Sequence, residues 1–172
     1  MICTHRQEWG IFMEYRKIYE NLLKTLCNAY RKMFRFLEGI EQCDAELSRL
    51  SEQNRPDVDE VSGVTSCKER LICTLDQVSL AIEPLHEQLD GIMELCQEVD
   101  AHPMYHHMED LQILTYYYIR KVINKEDINN PSIISRLNSY KESLELDKAI
   151  SEVPQSQRQV YMFVPDKGKA GN

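Results

Sequence analysis

The chain has 172 residues, 42% of them hydrophobic and 28% charged, with only 6 Gly and 6 Pro. That composition is too apolar for a disordered segment and too poor in turn-formers for a loop-rich fold; it suits a helical bundle with one continuous core. The net charge of -8 is uneven: residues 1–50 carry +1, residues 51–103 carry -9 and residues 104–172 are neutral. The acidic middle third would repel phosphate, and no basic face compensates, so nucleic acid is excluded as a partner.

The first element is a helix from about Ile11 to Ser51. Its apolar residues keep alternating steps of four and three: Tyr15, Tyr19, Leu22, Leu26, Ala29, Met33, Phe36, Ile40, Cys43, Leu47, Leu50. Such spacing averages about 3.5 residues per turn, and a straight helix repeats at about 3.6, so the seam stays in contact only if the helix wraps around a partner helix. Leu23, Tyr30, Phe34 and Leu37 widen the apolar face early on. A wide face implies two neighbours, and the narrow face after Ile40 implies one. Residues 1–12 differ in pattern and are expected to form an N-terminal extension, with Met13 as an alternative start.

The stretch Gln53-Asn54-Arg55-Pro56-Asp57 should end this helix, because proline cannot donate a backbone hydrogen bond and disfavours helical geometry in the residue before it. A second seam follows: Val61 and Val64 lead into Leu71, Leu75, Val78, Ile82, Leu85, Leu89, Ile92, Cys96 and Val99. Two long seams joined by a short turn predict an antiparallel, coiled-coil-like hairpin. Pro84 interrupts the second helix, but the seam keeps its phase across it, which predicts a kink rather than a break.

After His102-Pro103, a third helix is predicted from about Met104 to Asn124, using Met104, Met108, Leu111, Tyr118 and Val122. Asn130 is the expected N-cap of a fourth helix with Pro131 at its first position. That helix carries Ile133, Leu137, Tyr140 and Leu144 and fades at Asp147-Lys148. The fold class is therefore all-α, a bundle of about four helices over residues 13–150, followed by a tail, residues 151–172, with one apolar patch, Val160-Tyr161-Met162-Phe163-Val164.

Catalytic signatures are missing from this pattern: there is no glycine-rich phosphate loop, no nucleophile elbow and no H-E-x-x-H pair. No enzyme activity and no cofactor are expected. Cys96, Asp100, His102, His106, His107 and Asp110 cluster in sequence, but Pro103 separates the two histidines spaced four apart and no pair of short Cys/His ligand spacings is present, so no metal site is expected. The six cysteines form no C-x-x-C motif, and no secretion signal or long apolar run is seen. A cytoplasmic protein with reduced thiols and no membrane span follows.

The residues singled out for partner binding are aromatic and aliphatic. Tyr116, Tyr117 and Tyr118 are consecutive, about 100° apart around a helix, so a single buried stripe cannot take all three. Rings left at the surface belong to the residue type enriched in protein interfaces. Ile133, Ile134, Leu137, Tyr140 and Leu144 complete the expected surface on the fourth helix.

Two stretches carry a family resemblance. The first is Asp57-Val58-Asp59-Glu60-Val61 leading into Cys67-Lys68-Glu69-Arg70-Leu71-Ile72 and Leu75-Asp76; the second combines Leu137-Asn138-Ser139-Tyr140-Lys141 with Met162-Phe163-Val164-Pro165-Asp166-Lys167. With the hairpin layout they make residues 13–168 resemble the bacterial flagellar type III export chaperones of the FlgN/FliT type, most like the divergent clostridial versions. The resemblance implies a cytoplasmic chaperone that holds the helical terminal segment of a flagellar hook-associated or cap protein until delivery to the export apparatus. It also implies that the C-terminal helices contribute to cargo binding. Pro84, the tyrosine triplet and Gly168 depart from the family pattern. The alternative reading is a structural coiled-coil subunit or scaffold of a larger complex, and the open seams would also serve a homodimer.

Overall fold

The computed structural model describes residues 3–95 and 102–152, with side chains described within 13–95 and 102–149 and at Ser151. It is all-α: α1 spans Cys3–Ser51, α2 Val58–Leu95, α3 Pro103–Val122 and α4 Pro131–Glu152. The chain forms two compact units, Met1–Ile128 and Asn129–Asn172.

In the first unit α1 is the shared element, packing against both α2 and α3. Its contacts with α2 run in opposite directions along the two chains. Tyr30 meets His86, Gly39 faces Leu71, Asp44 pairs with Lys68 at 2.5 Å and Arg49 reaches Glu60 at 3.4 Å. This is the expected antiparallel hairpin. Against α3 the order is parallel: Tyr19 meets His102, Phe34 meets Tyr118 with ring centroids 5.3 Å apart, and Glu41 accepts from Lys121. The wide early face of α1 serves both neighbours, with Leu22, Leu23, Leu26, Cys27, Tyr30, Met33, Phe34, Leu37 and Ile40 all buried. Beyond Ile40 only Leu50 is buried on α1, as the narrowing face predicts.

Local signals set the helix ends. Asp57 Oδ1 accepts from the Asp59 N–H at 2.9 Å and caps α2. His102 Nδ1 accepts from the Met104 N–H at 3.2 Å and caps α3, with Pro103 in its first turn. Lys125, at φ 57°, adopts the left-handed conformation that turns the chain off α3. Its ammonium then pairs with Asp44, so one carboxylate ties α1 to both α2 and the end of α3. Burial opposes the charge on Asp44, but hydrogen bonds from Lys125 and Lys68 prevail and hold its carboxyl below the ordinary range.

Three expectations change. α1 begins at Cys3 instead of Ile11, because residues 3–12 contain no proline and a helix once nucleated extends at little cost per residue. Tyr15, the first expected seam residue, is exposed, and the buried run opens at Tyr19. On α3, Leu114 and Thr115 join the core. α2 is continuous through Pro84, and its seam residues from Leu71 to Ile92 are buried or half-buried; Cys96 and Val99 lie outside the described residues.

Considered by itself, the second unit contains α4. Asn130 Oδ1 accepts from the N–H groups of Ser132 (3.1 Å) and Ile133 (3.3 Å), which makes it the N-cap foreseen from sequence. The helix extends past Asp147-Lys148 to Glu152. The apolar patch at residues 160–164 lies outside the described residues.

Candidate functional site

The hairpin carries an open groove of about 460 Å³ between α1 and α2. Thr25, Asn28, Ala29 and Lys32 line it from α1, and Thr74, Gln77, Val78, Ala81, Ile82 and Leu85 from α2. Ala29 occupies a seam position where its neighbours are large, and Ala81 lines the same groove from α2; neither side chain fills the space between the helices.

The polar groups of the groove are largely spent locally. Thr25 donates to the Asn21 carbonyl and Thr74 to the Arg70 carbonyl, each at 2.8 Å, and the Asn28 side chain accepts from Arg31. What the groove offers an incoming surface is therefore mostly aliphatic carbon, with the amides of Asn28 and Gln77 and the cation of Lys32. Such a groove suits a helix face of small aliphatic residues with a carboxylate beside Lys32.

The tyrosine triplet is divided. Tyr118 is fully buried, its hydroxyl donating to Glu41 Oε2 at 2.7 Å, because Leu111, Thr115, Tyr118 and Val122 continue one seam in steps of four, three and four. Burial first, then the hydrogen bond to Glu41, raises its hydroxyl pKa. Tyr118 is thus a core residue instead of a surface contact. Tyr116 is 58% exposed and Tyr117 half-buried, with ring centroids 5.9 Å apart. The Arg120 guanidinium lies within 6 Å of both rings (5.7 and 5.8 Å) and also pairs with Glu126. Two aromatic rings and an arginine are residues that anchor protein interfaces.

On α4, Ile133, Leu137 and Leu144 are buried and Tyr140 is half-buried. Ile134 alone of the expected α4 contacts is exposed, at 40%. The five α4 residues belong to the second compact unit and the tyrosines to the first.

The histidine cluster does not converge. His102 caps α3, His106 approaches Glu109 at 3.3 Å, and His107 lies 3.3 Å from Arg31. Among the described residues no three His, Cys, Asp or Glu side chains come together as metal ligands; Cys96 and Asp100 lie outside those residues. No helix among them is long and apolar enough to cross a membrane.

The groove escaped sequence reasoning because alanines fit an apolar seam as well as leucines do. The available signal was the pair Ala29 and Ala81, which the antiparallel register sets on the same stretch of the hairpin. No protein-family description, curated protein or solved structure matches the chain.

Proposed function

We propose that this chain is a cytoplasmic, non-enzymatic binding protein of the flagellar export chaperone type, holding a helical terminal segment of a secreted hook-associated or cap protein. The observation that carries the binding reading is the α1–α2 groove, lined by Ala29, Ala81 and one lysine. A groove between two helices suits a third helix, whose i, i+4 and i+7 side chains would insert against Ala29, Val78 and Ala81. Lys32 favours a cargo helix with an acidic residue at the groove edge. The exposed Tyr116 with the half-buried Tyr117 and Arg120 gives a second contact area of interface-type residues. The α4 stripe is the third, its buried side chains exchanging their present contacts for the cargo. The sequence resemblance supplies the cargo class.

The test is isolation of the protein from its native cell, identification of the bound partner, and calorimetric titration with that partner's terminal peptide. Ala81→Trp fills the groove from an exposed position, so the fold should survive. Affinity should fall tenfold or more with the melting midpoint unchanged. Unchanged affinity in this folded variant would remove the groove from the reading.

A further inference from the structure

Cys43 and Cys67 are far apart in sequence, yet the antiparallel register of the hairpin, with Gly39 against Leu71 and Asp44 against Lys68, sets them opposite each other on α1 and α2. Neither is sequestered, since both are half-buried and reduced. The placement is fixed from both sides. One turn before Cys43, Gly39 has no side chain, and Leu71 Cδ1 comes within 3.0 Å of where a Cβ would stand. One residue after it, Asp44 pairs with Lys68 at 2.5 Å. The glycine lets the Leu71 side chain seat against α1, and the ion pair sets the register that places position 43 opposite position 67. A disulfide needs two cysteines placed opposite each other in this way.

We propose that Cys43 and Cys67 are a reversible redox site, forming an intrachain disulfide that staples α1 to α2. The oxidant is a low-molecular-weight disulfide. One protein thiolate attacks it, releasing one small thiolate and leaving a mixed disulfide. The second protein thiolate then attacks the protein sulfur of that mixed disulfide and expels the other small thiol. Two thiols become one disulfide, the small disulfide is reduced to two thiols, and both protein protons pass to solvent or to the leaving thiolates. Burial, followed by the neighbouring Cys67 thiol, pushes the Cys43 thiol pKa up; Asp44 adds to this and Lys68 opposes it. Exchange should therefore accelerate with alkalinity. The product closes the turn between the helices into a covalent loop, which limits how far the unfolded chain can spread.

The contrast with the other described thiols is part of the inference. Cys27 is buried in the core, and Cys73 is exposed beside the Gln77 amide. Exposure alone would select Cys73; proximity selects Cys43 with Cys67.

The experiment incubates the full chain with glutathione disulfide and maps cysteine-containing peptides by mass spectrometry without reduction. The expected product is a cross-link between Cys43 and Cys67 with the loss of two hydrogens, formed faster at higher pH. The melting midpoint should rise by about 5–10 °C and return on addition of a reductant. Cys43→Ala and Cys67→Ala should each abolish both the cross-link and the shift. Glutathione adducts alone, cross-links to other cysteines or between chains, or a cross-link that leaves the melting midpoint unmoved would overturn the proposal. If either alanine variant failed to fold, the peptide map of the wild-type chain would still decide the pairing.

Discussion

Tyr30 on α1 and His86 on α2 meet across the hairpin with Oη 2.7 Å from Nε2. Burial, only partly opposed by the charge of Asp90, holds the His86 pKa below its ordinary value of 6.5, so the neutral ring accepts the bond and the tyrosine hydroxyl donates it. The unfolded chain then binds a proton more readily than the folded one. Stability from this site is complete above pH 6.5 and declines as the pH falls from there through the depressed value. At the alkaline end the sign reverses in residue type. Burial first, then Cys27, raises the Tyr30 hydroxyl from 10 to about 12, so stability is complete below pH 10 and is lost as the pH climbs toward 12. Melting followed by circular dichroism from pH 5 to 8, a range of about three units around the histidine transition, should show the acid decline. Tyr30→Phe combined with His86→Leu should flatten it.

Thr115 is 1% exposed, and its hydroxyl has no hydrogen-bond partner among the described residues. A buried hydroxyl without a partner keeps its desolvation cost. Thr115→Val preserves the shape and removes that cost, and should raise stability by about 1 kcal/mol. Denaturant titration should show the midpoint moving up with an unchanged slope. Thr115→Ser, which keeps the hydroxyl and loses the methyl, should move it down.

Leu26 is fully buried where α1 carries its widest apolar face. Leu26→Asp would place an unpaired carboxylate there at a cost of several kcal/mol, against a total domain stability of about 5–15 kcal/mol. The cooperative thermal transition should disappear. A variant melting within a few degrees of wild type would show that this seam is not the core.

Leu137→Ala with Leu144→Ala removes two buried apolar side chains of α4. The melting transition of the hairpin should be nearly unchanged, while capture of the cargo peptide should weaken by tenfold or more in calorimetric titration. Unchanged affinity in the folded double variant would shift the site to the face bearing Tyr116 and Tyr117.

Much of the architecture was legible in the sequence because helical periodicity is a local property. Alternating steps of four and three identified α1 and α2, Asn130-Pro131 identified the start of α4, and Gln53-to-Asp57 identified the turn between the hairpin arms. Pro84 was expected to kink the second helix without splitting it, and the helix does run unbroken through it with its apolar phase kept. The start of α1 was not legible, because residues 3–12 lack the apolar rhythm that marks a packed helix although they contain nothing that stops one.

What only the tertiary structure decided is how side chains from distant positions share space. Three adjacent tyrosines are identical in local propensity; α3 lying along α1 sends Tyr118 to Phe34 and Glu41 and leaves Tyr116 outside. Alanines at 29 and 81 count as apolar in any pattern, and they come to line one groove only when the hairpin closes. Cys43 and Cys67 show no paired spacing, yet the close approach at Gly39 and the Asp44–Lys68 ion pair set them face to face. Periodicity determines which face of a helix seeks cover, whereas the volume left between two covered faces depends on both helices at once.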